Sequence, residues 1–245
     1  MYSFLMIGQS NMAGRGFIHE VPAIENERLY VLRNGRWYRM FVPVNFDRPF
    51  SGISLAESFA DVVSTHYGVD VGLIPCADGG TRLDQWMPGE VLYDNALAQA
   101  KLAQRTSEIA GVLWHQGEAD CAEDRYPLYY EKCSHILSSF RKDLGLHDVP
   151  FLVGGLGEFL PKCRENLKNY SYINEALQSM ARDKEYIAYV PADGLTSNPD
   201  NLHFNAVSLR EFGLRYFEVF RPMNTVITQA AAEVFDAKLT EMEQL

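Results

Sequence analysis

A single doubly wound α/β/α sandwich on a five-stranded parallel sheet is the fold class this sequence predicts, and three observations predict it. Five short apolar runs recur along the chain, at 2–7, 69–75, 109–115, 150–154 and 185–190. Segments with apolar residues at helical spacing lie between them. Polar and Gly-rich stretches come after the runs, as expected where a parallel sheet gathers a site beyond the carboxyl ends of its strands. The 245 residues, 47% of them apolar, suit one such domain with an ordinary core.

Each element has its own signal. Met1 leads directly into Tyr2-Ser3-Phe4-Leu5-Met6-Ile7, with no basic segment ahead of an apolar stretch, so the start reads as a first strand rather than a secretory signal. Runs at 28–33 and 36–41 flank Asn34-Gly35, a pair favoured in type I′ turns, and predict a β-hairpin inserted near the active-site face. A helix is expected over Leu55, Phe59, Val62, Val63 and His66, with Ser54 and Glu57 as a capping box and Gly68 as its stop. Gly52-Ile53-Ser54-Leu55-Ala56 approaches the G-x-S-x-G nucleophile elbow but lacks the last glycine, so Ser54 reads as a cap.

A second helix carries Tyr126, Tyr129, Tyr130, Cys133, Ile136, Leu137, Phe140 and Leu144 and stops at Gly145. A third carries Leu167, Tyr170, Ile173, Leu177 and Met180, and a fourth Leu209, Phe212, Tyr216 and Phe220. The expected strand order is the flavodoxin-like 2-1-3-4-5. Beyond a body at 1–222, a stripe of Ala230, Ala231, Val234, Phe235, Leu239 and Met242 marks a helical tail at 223–245. That tail can pack on the domain or on a second copy of the chain.

Composition excludes several functions. The formal net charge of −10 argues against nucleic acid and anionic membranes, which are gripped by clustered Lys and Arg. No apolar run approaches the ~20 residues of a membrane span. No basic patch is visible along the chain, so a small or neutral ligand is expected. Cys76, Cys121, Cys133 and Cys163 form no C-x-x-C pair and have no His at metal-ligand spacing. Free thiols in a reducing, cytoplasmic compartment are the expectation. Gly79-Gly80 is followed by no Lys-Ser/Thr and belongs to no G-x-G-x-x-G, so no nucleotide cofactor is expected.

The chemistry is read from the segments at the ends of the strands. Gly8-Gln9-Ser10-Asn11-Met12-Ala13-Gly14 follows the first, Ala77-Asp78-Gly79-Gly80-Thr81 the second, and Trp114-His115-Gln116-Gly117-Glu118-Ala119-Asp120 ends the third. Asp193-Gly194-Leu195 and then Asp200-Asn201-Leu202-His203-Phe204 follow the fifth. A serine hydroxyl is a weak nucleophile until a base removes its proton, and the base, usually histidine, needs a carboxylate to hold its tautomer. Ser10, His203 and Asp200 supply these roles, with Asp200 and His203 on one loop. An oxyanion would be met by the Ser10 N–H, an N–H of Gly79 or Gly80, and the Gln116 amide. Gln9, Asn11, Thr81, Arg82, Trp86 and His115 are the candidate substrate contacts. Trp86 is either a sugar platform or core, and His115 either shapes the pocket or is a satisfied core histidine.

Together, Gly8-Gln9-Ser10-Asn11-Met12, Gly79-Gly80-Thr81, the His115-Gln116-Gly117-Glu118 block and Asp200-x-x-His203 resemble the SGNH hydrolase superfamily. The nearest branch is the sialate O-acetylesterase-like and carbohydrate esterase family six group, which includes acetylxylan esterases. The resemblance implies a Ser-His-acid triad, a three-layer fold, no metal, and Gln116 in place of the superfamily's oxyanion asparagine. It leaves two candidates for the acid. Asp200 is preferred because it sits on the loop of His203; Glu118, assigned the role in some relatives, is the alternative. The expected activity is removal of O-acetyl groups from carbohydrates. A short-chain lipase- or thioesterase-like hydrolase and an inactive carbohydrate-binding relative are the rivals.

Overall fold

The computed structural model describes residues 1–228, and the helical tail expected further on falls mostly outside them. The seven strands are β1 (Tyr2–Gly8), β2 (Leu29–Arg33), β3 (Arg36–Arg39), β4 (Val71–Pro75), β5 (Glu108–His115), β6 (Phe151–Gly154) and β7 (Ile187–Val190). The helices are α1 (Ser10–Ala13), α2 (Leu55–Tyr67), α3 (Val91–Ala103), α4 (Tyr129–Leu144), α5 (Tyr170–Asp183) and α6 (Ala206–Phe220).

One sheet holds all seven strands, in the order β3-β2-β4-β1-β5-β6-β7. The five strands read from apolar runs are its parallel core, and they stand in the expected 2-1-3-4-5 order. The count of five is corrected to seven by the hairpin. Asn34 and Gly35 have φ of 49° and 74°, as a type I′ turn requires. Yet β2 then runs parallel to β4, so the hairpin prolongs the sheet edge instead of standing as an insertion over the active-site face. The apolar face of Leu29 and Val31 is buried there, and that burial decides the placement.

Helices α2 and α6 pack together on one face of the sheet, and α3, α4 and α5 pack in series on the other. Phe4 of the central strand meets Phe59 of α2 and Phe220 of α6 edge-on, at 4.8 and 5.3 Å between ring centroids. On the opposite face Tyr93 packs on Phe140 at 4.2 Å. Helix α2 starts as its residues indicate: Ser54 Oγ accepts from the Ala56 N–H and Glu57 Oε1 from the Ser54 N–H, and Gly68 ends the helix in the left-handed region.

Helix α3 has no counterpart among the helices expected from apolar spacing. Its buried stripe is Tyr93, Ala96, Ala100 and Ala103, and small side chains leave little trace in a pattern of large apolar residues. The site is positioned by the centre of the sheet. Gly8 of β1 pairs with His115 of β5, so Gln9-Ser10 leaves the sheet beside Gln116-Gly117. A Cβ on Gly8 would lie 2.1 Å from the His115 carbonyl oxygen, so only glycine allows this close exit.

Candidate active site

Ser10 opens α1 with its side chain buried at the base of a cleft of about 370 Å³. His203 Nε2 lies 3.0 Å from Ser10 Oγ, and His203 Nδ1 lies 2.7 Å from Asp200 Oδ2. With Nδ1 protonated toward the carboxylate, Nε2 is free to accept from the serine hydroxyl. The other Asp200 oxygen accepts from the main-chain N–H groups of Leu202 and His203, at 2.9 and 3.0 Å. Burial pushes the Asp200 carboxyl up, but these N–H donors and the His203 ring outweigh it and hold the group below its ordinary value.

Glu118 is elsewhere in the cleft wall. Its Oε1 accepts from Asn11 Nδ2 and stands 3.9 Å from the ring of His115; Oε2 has no hydrogen-bond partner among the described residues. Asn11 also accepts from the Phe204 N–H at 3.0 Å and donates to the Leu202 carbonyl at 3.2 Å. It therefore ties the histidine loop to α1 rather than facing a ligand.

Two of the expected oxyanion donors are already committed. The Gly79 N–H donates to Asp47 Oδ2 at 2.8 Å. The Gln116 amide, fully buried, donates to Asp120 Oδ2 and, at 3.1 Å, to the Thr81 carbonyl. The donors that face the cleft are others. Among the described residues neither the Ser10 N–H nor the Gly80 N–H has an acceptor. Gln9 Oε1 accepts long bonds from the Gly117 and Ala119 N–H groups, 3.5 and 3.4 Å. Its Nε2 has no acceptor among the described residues, and the residue lines the cleft.

The remaining candidates divide between core and surface. Trp86 is fully buried and donates to Thr81 Oγ1 at 3.0 Å, so it is core and no sugar platform. Thr81 in turn donates to the Asp78 carbonyl at 2.7 Å and serves the turn. Arg82 is exposed and lies outside the cleft lining. His115 is fully buried with Nε2 3.1 Å from the Gly155 carbonyl, and burial lowers its pKa; it is a core histidine whose Nδ1 has no hydrogen-bond partner among the described residues. Asp193 lines a different hollow, with Tyr170 and Tyr189.

The cleft also holds residues that are not among the expected site residues: Arg15, Arg48, Phe50, Arg164, Leu167 and Leu202. Three of these are arginines, two of them paired with carboxylates. They come from three separate segments, so no charge run announces them. Arg15 is buried and paired with Asp47 in a two-pronged bridge, Nη1–Oδ1 3.0 Å and Nη2–Oδ2 2.6 Å. Arg48 donates to Asp78 Oδ1 at 2.9 Å, and Arg164 is exposed at the rim. No cluster of metal-ligating side chains exists among the described residues. No described helix is long and apolar enough to cross a membrane.

The family model for carbohydrate esterases, sialic acid-specific acetylesterase, matches residues 1–221. A probable carbohydrate esterase of Arabidopsis thaliana is 26% identical over 243 residues, covering 89% of this chain and 89% of that protein. In shape, a crystal structure of an Arabidopsis thaliana protein superposes with a TM-score of 0.82 at 24% identity, over 90% of this chain and 98% of the other. The crystal structure of NanS superposes with a TM-score of 0.74 at 16% identity, over 90% and 96%.

Proposed function

The chain belongs to the carbohydrate esterase family of sialic acid-specific acetylesterases, and from that premise we propose that it removes O-acetyl groups from carbohydrates through an acetyl-serine. One observation carries this reading: the unbroken path Ser10 Oγ–His203 Nε2–Asp200, with links of 3.0 and 2.7 Å, at the floor of an open cleft.

The steps are set by the groups present. Ser10 Oγ attacks the acetyl carbonyl as His203 Nε2 takes its proton. The carbonyl oxygen becomes an oxyanion, and the free N–H groups of Ser10 and Gly80 and the Gln9 amide are the donors in position to receive it. His203 returns the proton to the departing sugar oxygen, which leaves as an alcohol. A water then gives its proton to His203 and attacks the acetyl-serine, releasing acetate and restoring Ser10. Asp200 keeps Nε2 on the serine side and offsets the imidazolium charge in both halves.

The cleft favours an acidic sugar of the sialate type over a neutral acetylxylan. Arg164 stands exposed at its rim, where a carboxylate can meet a guanidinium. The short-chain lipase- or thioesterase-like rival would be marked by a long apolar groove, whereas this cleft of about 370 Å³ sets Phe50, Leu167 and Leu202 beside Arg15, Arg48 and Arg164. The four cysteines are unpaired thiols, which supports a reducing, cytoplasmic setting.

Acetate release from O-acetylated sialic acid and acetylated xylan by the wild type and Ser10→Ala tests the proposal. The wild type should prefer the acidic substrate and the variant should lose several orders of magnitude. Undiminished turnover by Ser10→Ala overturns it.

A further inference from the structure

The turn that carries Gly80 is held on both sides of Gly79. The Asp78 N–H donates to the Gly8 carbonyl at 3.0 Å, and the Asp78 carbonyl accepts from Thr81 Oγ1 at 2.7 Å. The Gly79 N–H donates to Asp47 at 2.8 Å, and the Gly79 carbonyl accepts from Arg48 Nη2 at 3.0 Å. The Gly80 N–H is without an acceptor among the described residues. It belongs to the same peptide unit as the Gly79 carbonyl. A trans peptide is planar, with its N–H and C=O pointing in opposite directions. Whatever holds the Gly79 oxygen therefore aims the Gly80 N–H.

That peptide has two accessible orientations, since the middle peptide of a tight turn flips between type I and type II. Gly80 has φ of +79°, the value of the third residue of a type II turn. A bare glycine pair exchanges between the two at little cost, so the observed orientation needs a holder.

Resting on the acetyl-serine reading, we propose that Arg48 is a positioning residue that locks the 79–80 peptide with the Gly80 N–H turned toward the oxyanion. The clamp is built for geometry. Arg48 Nη2 spends both of its protons, one on the Gly79 carbonyl and one on Asp78 Oδ1, and Nη1 donates to the Asp47 carbonyl at 2.7 Å. Asp47 beside it is anchored by Arg15 and by Ser51 Oγ at 2.8 Å, and its side chain is 3% exposed. Burial pushes the Asp47 carboxyl up, but Arg15, Ser51 and the Gly79 N–H outweigh it and hold the group below its ordinary value. The strand-less stretch at 41–51 thus reaches the chemistry by gripping both sides of Gly79, with Ser10 close by: a Cβ on Gly79 would stand 3.4 Å from Ser10 Cβ.

The test compares wild type, Arg48→Ala, Arg48→Lys and Ser10→Ala on 4-nitrophenyl acetate, which carries no carboxylate for an arginine to bind. Phenylboronic acid, whose adduct on Ser10 places an oxygen where the oxyanion forms, serves as a second probe. Arg48→Ala should lower kcat about 10- to 100-fold with KM within about threefold, and weaken phenylboronic acid by a matching factor. Arg48→Lys keeps the charge without the fork and should recover only part of the loss. Unchanged kcat in Arg48→Ala, a loss confined to KM, or full recovery by Arg48→Lys overturns the positioning role. If Ser10→Ala turns over like the wild type, it is the acetyl-serine reading that falls instead. Thermal unfolding of each variant identifies one that has failed to fold, and for that variant Gly80→Ala, which strains the same peptide without touching Arg48, must show the kcat loss in its place.

Discussion

Asp200 grips His203 twice, its Oδ2 on the ring Nδ1 at 2.7 Å and its Oδ1 on the main-chain N–H at 3.0 Å. The double grip fixes both the tautomer and the direction of the ring. Glu118, the other candidate acid, bonds Asn11 and stays away from His203. Asp200→Asn is expected to lower kcat by ~10³–10⁴-fold, because an amide can hold the ring in the wrong tautomer. Glu118→Gln should cost far less, within roughly tenfold. A steady-state comparison of the two variants decides; a larger loss in Glu118→Gln would reverse the assignment.

Trp86 fills the core and bonds Thr81, so its removal should read as lost stability. Trp86→Ala is expected to cost about 3–5 kcal/mol. Trp86→Phe, which keeps most of the volume but not the hydrogen bond, should cost about 1 kcal/mol. Denaturant melts measure both. A rise in KM for sugar esters at unchanged stability would return Trp86 to the role of platform.

Arg164 stands at the cleft rim with no carboxylate partner among the described residues. Arg164→Ala should raise KM for an acetylated acidic sugar about 3- to 10-fold, as loss of one exposed charge-assisted contact does, and leave 4-nitrophenyl acetate unchanged. Equal effects on both substrates would mean that the residue shapes the cleft rather than reading charge.

Glu57 gives stability a pH dependence of definite sign. It is fully buried, and burial raises its pKa to about 7 despite Arg210, whose Nη1 lies 2.7 Å from Oε2. An unfolded glutamate releases its proton near 4.5, so between there and about 7 the folded chain holds the extra proton. Stability from this group is therefore complete below about pH 4.5 and is lost as the pH rises to about 7. Glu57→Gln keeps the capping geometry and removes that slope. Melting temperatures of the two proteins at about pH 4.5 and 7.5 should change by amounts that differ by several degrees; parallel changes would remove Glu57 as the source.

The parallel core of the sheet and its order were legible because each buried strand is an uninterrupted apolar run. Helix α3 was not, because alanines make its buried stripe. The hairpin was legible as a hairpin, but its docking beside β4 depends on an edge that no local signal describes. At the site, Ser10, His203 and Asp200 stood out by residue type, and the fold brings them together. Gln116 and Gly79 misled, because a donor's availability depends on who else accepts from it: Asp120, Thr81 and Asp47 are partners chosen by tertiary structure. Arg15, Arg48 and Arg164 are single residues in unrelated segments, and only folding makes them neighbours.

The hydrogen bond from Ser10 to His203 closes a gap of 193 residues. At a synthesis rate of ~5–20 residues per second, roughly 10–40 s separate the translation of its two ends. During that interval the nascent chain holds the proposed nucleophile without the histidine proposed as its base. If the proposed acetyl-serine route holds, a ribosome-bound fragment that stops before His203 lacks the base and is expected to cleave no ester.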